Sequence, residues 1–275
     1  MRVKKKCYVC LFVVVFIMTV MNAGCRKAMT TANKKERIKE LLKEKYGEEF
    51  EVRNLYYSGA VHAWCYPIND SSMIFMADTS EKMEEIQDDQ YIQKIVCTQL
   101  DNSLNPEFDS IFSDCFVSTN IFSGGTDKFL SIYDKKEICF KTLMQYFRSQ
   151  GISDDIVVNV FINKDLSTTN NTLVEYNSIV EIAGRIQEEG EYPYVSIHLY
   201  FCDLSQIINV RKAIENYNWE DSESSDQDIY DVIKDIPKIK MLFDKKGDSF
   251  IISEGERTEL DYTTYNKQRG YCNEK

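Results

Sequence analysis

The chain holds two histidines in 275 residues, His62 and His198, and each has a cysteine nearby, Cys65 and Cys202. A thiol and an imidazole can act as nucleophile and base when they come within hydrogen-bond reach, about 3 Å. The spacings work against this. His62 and Cys65 are three apart on a predicted strand and so point to opposite faces. His198 and Cys202 share a face but lie about 13 Å apart at about 3.3 Å per residue. A cross-strand pairing such as His198 with Cys65 is the arrangement that would assemble a dyad; without it, both histidines read as half-exposed strand residues.

His62, Trp64 and Tyr66 alternate along one strand and share a face, which Tyr56 on the hairpin partner extends. Tyr194, His198 and Tyr200 do the same in the second half of the chain. Aromatics with polar tips suit partly wet recognition surfaces such as glycan or peptide grooves. They equally suit the core between a sheet and a helix, so His62, Trp64, Tyr66, Tyr194, His198 and Tyr200 are candidates for a ligand surface and for core packing alike.

Other chemistry has thinner support. The acidic run from Glu220 to Asp228 offers oxygen ligands but lacks the glycine and terminal glutamate of a calcium loop, and reads as a solvated loop or a weak calcium site. Asp88-Asp89 suits a helix start better than a catalytic carboxylate pair. Outside the first 24 residues the cysteines are Cys25, Cys65, Cys97, Cys115, Cys139, Cys202 and Cys272, and no CxxC pair is among them, so no zinc or thioredoxin-like centre is expected. Cys65, Cys97, Cys139 and Cys202 fall in apolar periodic segments, where free cysteine behaves as a small hydrophobe; a lone bridge, such as one to Cys272, is the alternative. No nucleotide, phosphate-loop, serine-hydrolase or metalloprotease motif is present, and no cofactor or metal site is expected.

The elements that must position these residues follow from composition and periodicity. With 43% hydrophobic residues, 11 Gly and 4 Pro, the chain is globular rather than disordered or collagen-like. A formal charge of −11 argues against a nucleic-acid partner, whose binding relies on Lys and Arg releasing counterions. Residues 33–46 have helical spacing closed by Gly47. Phe50–Tyr57 and Ala60–Tyr66 read as a hairpin about Ser58-Gly59, and Met73–Ala77 as a third strand. A second helix opens at Asp88-Asp89 and closes before Pro106. Cys115–Phe122 and Lys128–Tyr133 read as another hairpin. Helices and strands then alternate: helix 137–149, strand 155–163, helix 172–189, strand 194–202, helix 204–217. A short helix 229–236, a run 239–243, a strand 249–253 and a frayed polar tail follow. Each strand of the second half has one apolar face, which predicts helices on one side only and an α+β fold: an antiparallel meander with helices, then an alternating helix/strand layer.

The first twenty-five residues read as an export signal: Arg2, Lys4, Lys5 and Lys6, an apolar run Cys7–Met21, then Asn22-Ala23-Gly24-Cys25. The apolar run spans about 22 Å, short of the roughly 30 Å hydrocarbon core, so a permanent span is the weaker reading. Ala23-Gly24-Cys25 resembles the lipobox of bacterial lipoproteins, with Asn22 where that family usually has an aliphatic residue. The resemblance implies that Cys25 receives a diacylglyceryl group and becomes the first residue of the mature chain; an ordinary secretory signal is the alternative. Together with the phrase Lys43-Glu44-Lys45-Tyr46-Gly47-Glu48-Glu49-Phe50-Glu51-Val52, the signal resembles uncharacterised surface lipoproteins of Gram-positive bacteria, a group with no known activity to transfer. The expected organisation is a signal peptide (1–24), a lipid-anchored tether (25–33) carrying basic residues toward anionic headgroups, a first α+β half (34–134) and a second (135–275). The expected function is a non-catalytic binding module on the outer face of the cytoplasmic membrane, held by its lipidated N-terminus, with an envelope protein or glycan as partner. A cell-envelope hydrolase or transferase and a solute-binding protein are the alternatives.

Overall fold

The computed structural model describes residues 29–122, 126, 128–152, 155–164, 172–191, 194–215, 232–244, 250–254 and 259–261. Helix α1 (Thr31–Tyr46) opens where the Thr30 hydroxyl accepts the Asn33 N–H at 3.3 Å. It closes at Gly47, whose left-handed backbone (φ 69°) lets its N–H reach the Lys43 carbonyl at 2.8 Å. Four antiparallel strands follow in spatial order β1 (Phe50–Tyr57), β2 (Val61–Pro67), β3 (Phe75–Thr79) and β4 (Ile86–Asp89). Because Tyr57 pairs with Val61, the β1–β2 turn has three residues, with Gly59 at φ 69°, one more than the expected two-residue turn. Strand β4 lay hidden in the sequence, since Ile86 is its one apolar residue. Asp88 and Asp89 therefore end a strand, although Asp89 still serves the next helix by accepting the Tyr91 N–H at 3.0 Å.

Helix α2 (Tyr91–Phe112) does not stop at Pro106 but runs two further turns. An internal proline costs about 3 kcal/mol. Burial of Leu104, Phe108 and Phe112 opposes that cost, as do bonds from this helix to strand β5 (Cys115–Phe122). Asp101, Asn105 and Asp109 accept the backbone N–H groups of Thr119, Val117 and Cys115 at 2.6, 2.8 and 3.2 Å. Four helical residues advance about 6 Å and two strand residues about 6.6 Å, so a polar stripe at every fourth helix position matches alternate strand amides. Strand β5 is an edge strand, and α2 thereby seals its free edge.

One member of that stripe links fold to pH. Burial, partly offset by the Thr119 N–H, holds the Asp101 carboxyl up at about 6 against an ordinary 3.8. The folded state thus binds more protons than the unfolded one between those values. Asp101's contribution to stability is complete below about pH 4 and is lost as pH rises through about 6. Asp101→Asn keeps an acceptor for Thr119 and removes this dependence. Urea midpoints at pH 4.5 and pH 7.5 should therefore favour the variant at the higher pH and show little difference at the lower.

The expected strand Lys128–Tyr133 is instead a helical turn, α3 (Phe129–Ile132). Phe129 is fully buried and stacks on Tyr133 at 5.0 Å, which requires helical spacing. Freed of that hairpin, β5 joins the second sheet. A 3₁₀ turn (Lys135–Glu137) leads to α4 (Phe140–Gln150), then β6 (Asp155–Asn163), α5 (Thr172–Gly190), β7 (Tyr194–Cys202), α6 (Leu204–Glu215), β8 (Lys238–Asp244), β9 (Phe250–Glu254) and β10 (Glu259–Asp261). The sheet order is β10-β9-β8-β7-β6-β5, with β6 and β7 parallel and the other pairs antiparallel. Strand β10 falls in the stretch expected to be a frayed tail.

The inner faces of both sheets feed one buried cluster that runs from Ile38 to Phe243, giving the α+β fold. Helices do not lie on one side of the second sheet alone. Ile207 and Val210 of α6 pack with Phe161, Tyr200 and Cys202 on the opposite face in a second, smaller core. Where α4 meets α5, a Cβ on Gly190 would sit 2.7 Å from a ring carbon of the buried Phe140. That ring has nowhere to swing, so Gly190→Ala is expected to cost about 1–3 kcal/mol of unfolding free energy in urea titration.

Candidate functional site

The outer face of the four-stranded sheet is assembled by a β-bulge. Val52 pairs with Cys65 and Asn54 with Trp64, so Arg53 is an extra residue. One inserted residue reverses which side chains face the core. Phe50 and Val52 point inward before it, whereas Tyr56 points outward after it and lies opposite His62. The resulting row crosses all four strands as Tyr56, His62, Asp78 and Asp88, with Asn54, Trp64 and Met76 forming the next row.

The first row is held tightly. The Tyr56 ring stacks on His62 with centroids 4.3 Å apart and planes 14° from parallel. On its other side, His62 Nδ1 lies 2.7 Å from Asp78 Oδ1. A carboxylate accepts only, so the proton sits on Nδ1. His62 Nε2 is shielded from solvent and makes no hydrogen bond. Trp64 and Tyr66 continue along β2 on this face, half-buried. Three of the six expected surface residues, His62, Trp64 and Tyr66, therefore stand together with Tyr56. The sequence reading missed Asp78 and Asp88: it ended the third strand at Ala77 and placed Asp88 in a helix. Extending the strand by the alternation already visible in β2 would have brought Asp78 opposite His62.

Tyr194, His198 and Tyr200 occupy the outer face of the other sheet and do not join this surface, because both sheets turn their inner faces to the same core. Tyr194 is 39% exposed at the start of β7. Tyr200 is core: it stacks on Phe161, which stacks on Phe116, each at 4.8 Å. The guanidinium of Arg211 on α6 sits 4.6 Å over Phe116, and burial pushes the Tyr200 phenol up to about 12. His198 belongs to a cross-strand row with Ser118, Asn159 and Lys240. Burial, then Lys240 and Lys238, push its imidazole down to about 4, so it is neutral near pH 7.

The Cys/His dyad is not assembled. Cys65 is buried on the inner face of the first sheet while His198 faces outward on the second. Cys202 is buried under α6, and burial raises its thiol to about 12. Burial also raises Cys97 and Cys115 to about 12 and holds Cys65 well above the ordinary thiol range. Cys65, Cys97, Cys115, Cys139 and Cys202 are free. Cys25, Cys272 and the acidic run 220–228 lie outside the described residues, and among those described no cluster has a metal-ligand arrangement.

The stretch expected to be a basic tether overlaps the folded body. Since α1 begins at Thr31, Lys34, Lys35 and Arg37 belong to the folded body, and each is engaged there. Lys34 lies 4.3 Å over the Tyr57 ring, Lys35 donates to the Arg53 carbonyl at 2.7 Å, and Arg37 pairs with Glu40 at 3.1 Å. Arg26 and Lys27 lie outside the described residues.

Fold and site together define a two-sheet α+β protein with an aromatic and carboxylate-lined outer sheet face. No family model matches the chain, and no curated protein matches it. Among solved structures, the crystal structure of a DUF5037 family protein from Ruminococcus gnavus ATCC 29149 is similar, with a TM-score of 0.57 and 21% identity, covering 79% of this chain and 94% of that one. At this identity the likeness shows the fold.

Proposed function

We propose that this protein is a non-catalytic, lipid-anchored binding module on the outer face of the bacterial cytoplasmic membrane, and that it presents the outer face of β1–β4 to an envelope protein or glycan. The observation that carries the reading is the Tyr56–His62–Asp78 row: a ring stacked flat on an imidazole that a carboxylate holds in place. Such a surface has little side-chain freedom left to lose on binding, and rings with polar tips suit a partly wet contact. Trp64 and Tyr66 widen it on the same strand.

The anchor reading rests on Ala23-Gly24-Cys25 behind a short basic and apolar leader. No described helix is long and apolar enough to cross a membrane; in this reading attachment runs through acyl chains on Cys25. The test is the mass of the N-terminal peptide from membrane-fractionated protein. A peptide that starts at Cys25 and carries a diacylglyceryl adduct is the expected result; an uncleaved leader or an unmodified cysteine would overturn the anchor.

A further inference from the structure

Two large apolar side chains stand exposed where α1 begins. Met29 is 43% exposed, and Tyr57, at the end of β1, is 53% exposed. Lys34, in the first turn of α1, holds its ammonium 4.3 Å over the Tyr57 ring, which sets the β1–β2 turn beside the start of the helix. Arg53, the extra residue of the bulge, is exposed further along β1. A thioether, a ring with a hydroxyl tip and flanking cations are the groups that settle at the boundary between lipid headgroups and acyl chains. Ile68, 57% exposed, follows Pro67 at the opposite end of β2, about 20 Å from the Tyr57–Val61 pair at about 3.3 Å per residue.

The geometry points to the bilayer itself as the occupant of this end: Met29 and Tyr57 dock at the headgroup boundary of the leaflet that holds Cys25, and the first sheet stands end-on above it. The inference deepens the proposed function and rests on the lipid anchor at Cys25. Four residue steps separate Cys25 from Met29, at most about 14 Å of extended backbone, and acyl chains on Cys25 hold its backbone in a headgroup layer about 5–7 Å deep. The start of α1 therefore cannot stand far from the lipid. Charge selects which side leans on it. The loop between β3 and β4 lies at the same end of the sheet and exposes Glu81, Glu84 and Glu85 against Lys82, so anionic headgroups repel it, whereas Lys34 and Arg53 mark the α1–β1 side. Two side chains do not hold a protein on a membrane unaided; the anchor supplies the effective concentration at which they dock. In this pose the Tyr56–His62–Asp78 row, one residue from the docking end on each strand, meets its partner at the membrane surface.

The test places a tryptophan at each end of the sheet, Tyr57→Trp and Ile68→Trp, in the diacylated full-length mature chain. Both side chains are exposed, so neither substitution disturbs the core. Each protein is bound to vesicles of phosphatidylcholine brominated near the head of its acyl chains, with a minor share of phosphatidylglycerol, and its fluorescence is compared with that on the unbrominated lipids. The parent chain supplies the background of Trp64 and Trp219. Sedimentation of the vesicles reports the anchor separately. Bromine is expected to quench the added fluorescence of Tyr57→Trp about twofold or more beyond that of Ile68→Trp, because only the first position reaches the boundary. Equal quenching of the two, or stronger quenching of Ile68→Trp, in protein that sediments would overturn the docking and leave the anchor standing. Failure of the processed chain to sediment would overturn the anchor, and the docking with it.

Discussion

Asp89→Ala is expected to lower the unfolding free energy by about 3–5 kcal/mol, the cost of leaving a buried ionic network without one member. Asp89 has no exposed side-chain surface, and three donors from two helices converge on it. Tyr46 Oη at the end of α1 donates to Oδ1 at 2.6 Å, Lys45 Nζ donates to Oδ2 at 2.7 Å, and the Tyr91 N–H that opens α2 donates to Oδ1 at 3.0 Å. Burial and the Asp89 charge push the Tyr46 phenol far above its ordinary range, so it stays a donor at any accessible pH. The network extends outward, since Tyr91 Oη and Lys135 Nζ both donate to Glu48 Oε1 at 2.6 Å. Alanine leaves Lys45 and Tyr46 with unmet donors in a low-dielectric site. Asp89→Asn retains one acceptor and should lose less. A urea midpoint shift for Asp89→Ala no larger than that of an exposed variant such as Glu81→Ala would show that the carboxylate does not organise this junction.

The second large effect concerns the membrane. Each buried methylene contributes about 0.8 kcal/mol, and a single myristoyl chain gives a partition coefficient of only about 10⁴ M⁻¹, whereas two chains hold a protein stably. Loss of residues 1–24 removes Arg2, Lys4, Lys5 and Lys6, leaving a chain more acidic than its formal −11 and repelled by anionic lipid. Lys34, Lys35 and Arg37 are engaged within the body, so Arg26 and Lys27 contribute about 1 kcal/mol each at most. The mature chain without acyl groups is therefore expected to stay in the supernatant over vesicles containing anionic lipid, while the diacylated chain sediments with them. Equal sedimentation of the two forms would place the membrane affinity elsewhere than Cys25.

Where a segment's pattern agreed with its packing, the fold was legible. The apolar stripe Ile38, Leu41, Leu42, Tyr46 and the cap at Gly47 specify α1, and strict alternation specifies β2 and β7. Failures came where tertiary contacts overrode local signals. Pro106 reads as a stop, but the bonds of Asn105 and Asp109 to β5 and the burial of Phe108 carry α2 past it. Phe129 and Tyr133 read as strand residues, but their stacking requires a helical turn. The site was half legible: alternation brought His62, Trp64 and Tyr66 to one face, while the bulge at Arg53 and the short polar strand β4 left no local pattern to read. The separation of Tyr194, His198 and Tyr200 onto another sheet depends on strand order, which period-2 patterning does not encode.

Hydroxyl-radical labelling of side chains, with and without a solubilised envelope fraction, tests most directly that the first sheet's outer face is the binding surface. Tyr56, Trp64, Tyr66 and Met76 are expected to lose reactivity in the presence of the fraction, with Tyr194 and Leu242 on the second sheet unchanged. Protection of the second sheet with the first unaltered, or no protection of either, would contradict the assignment.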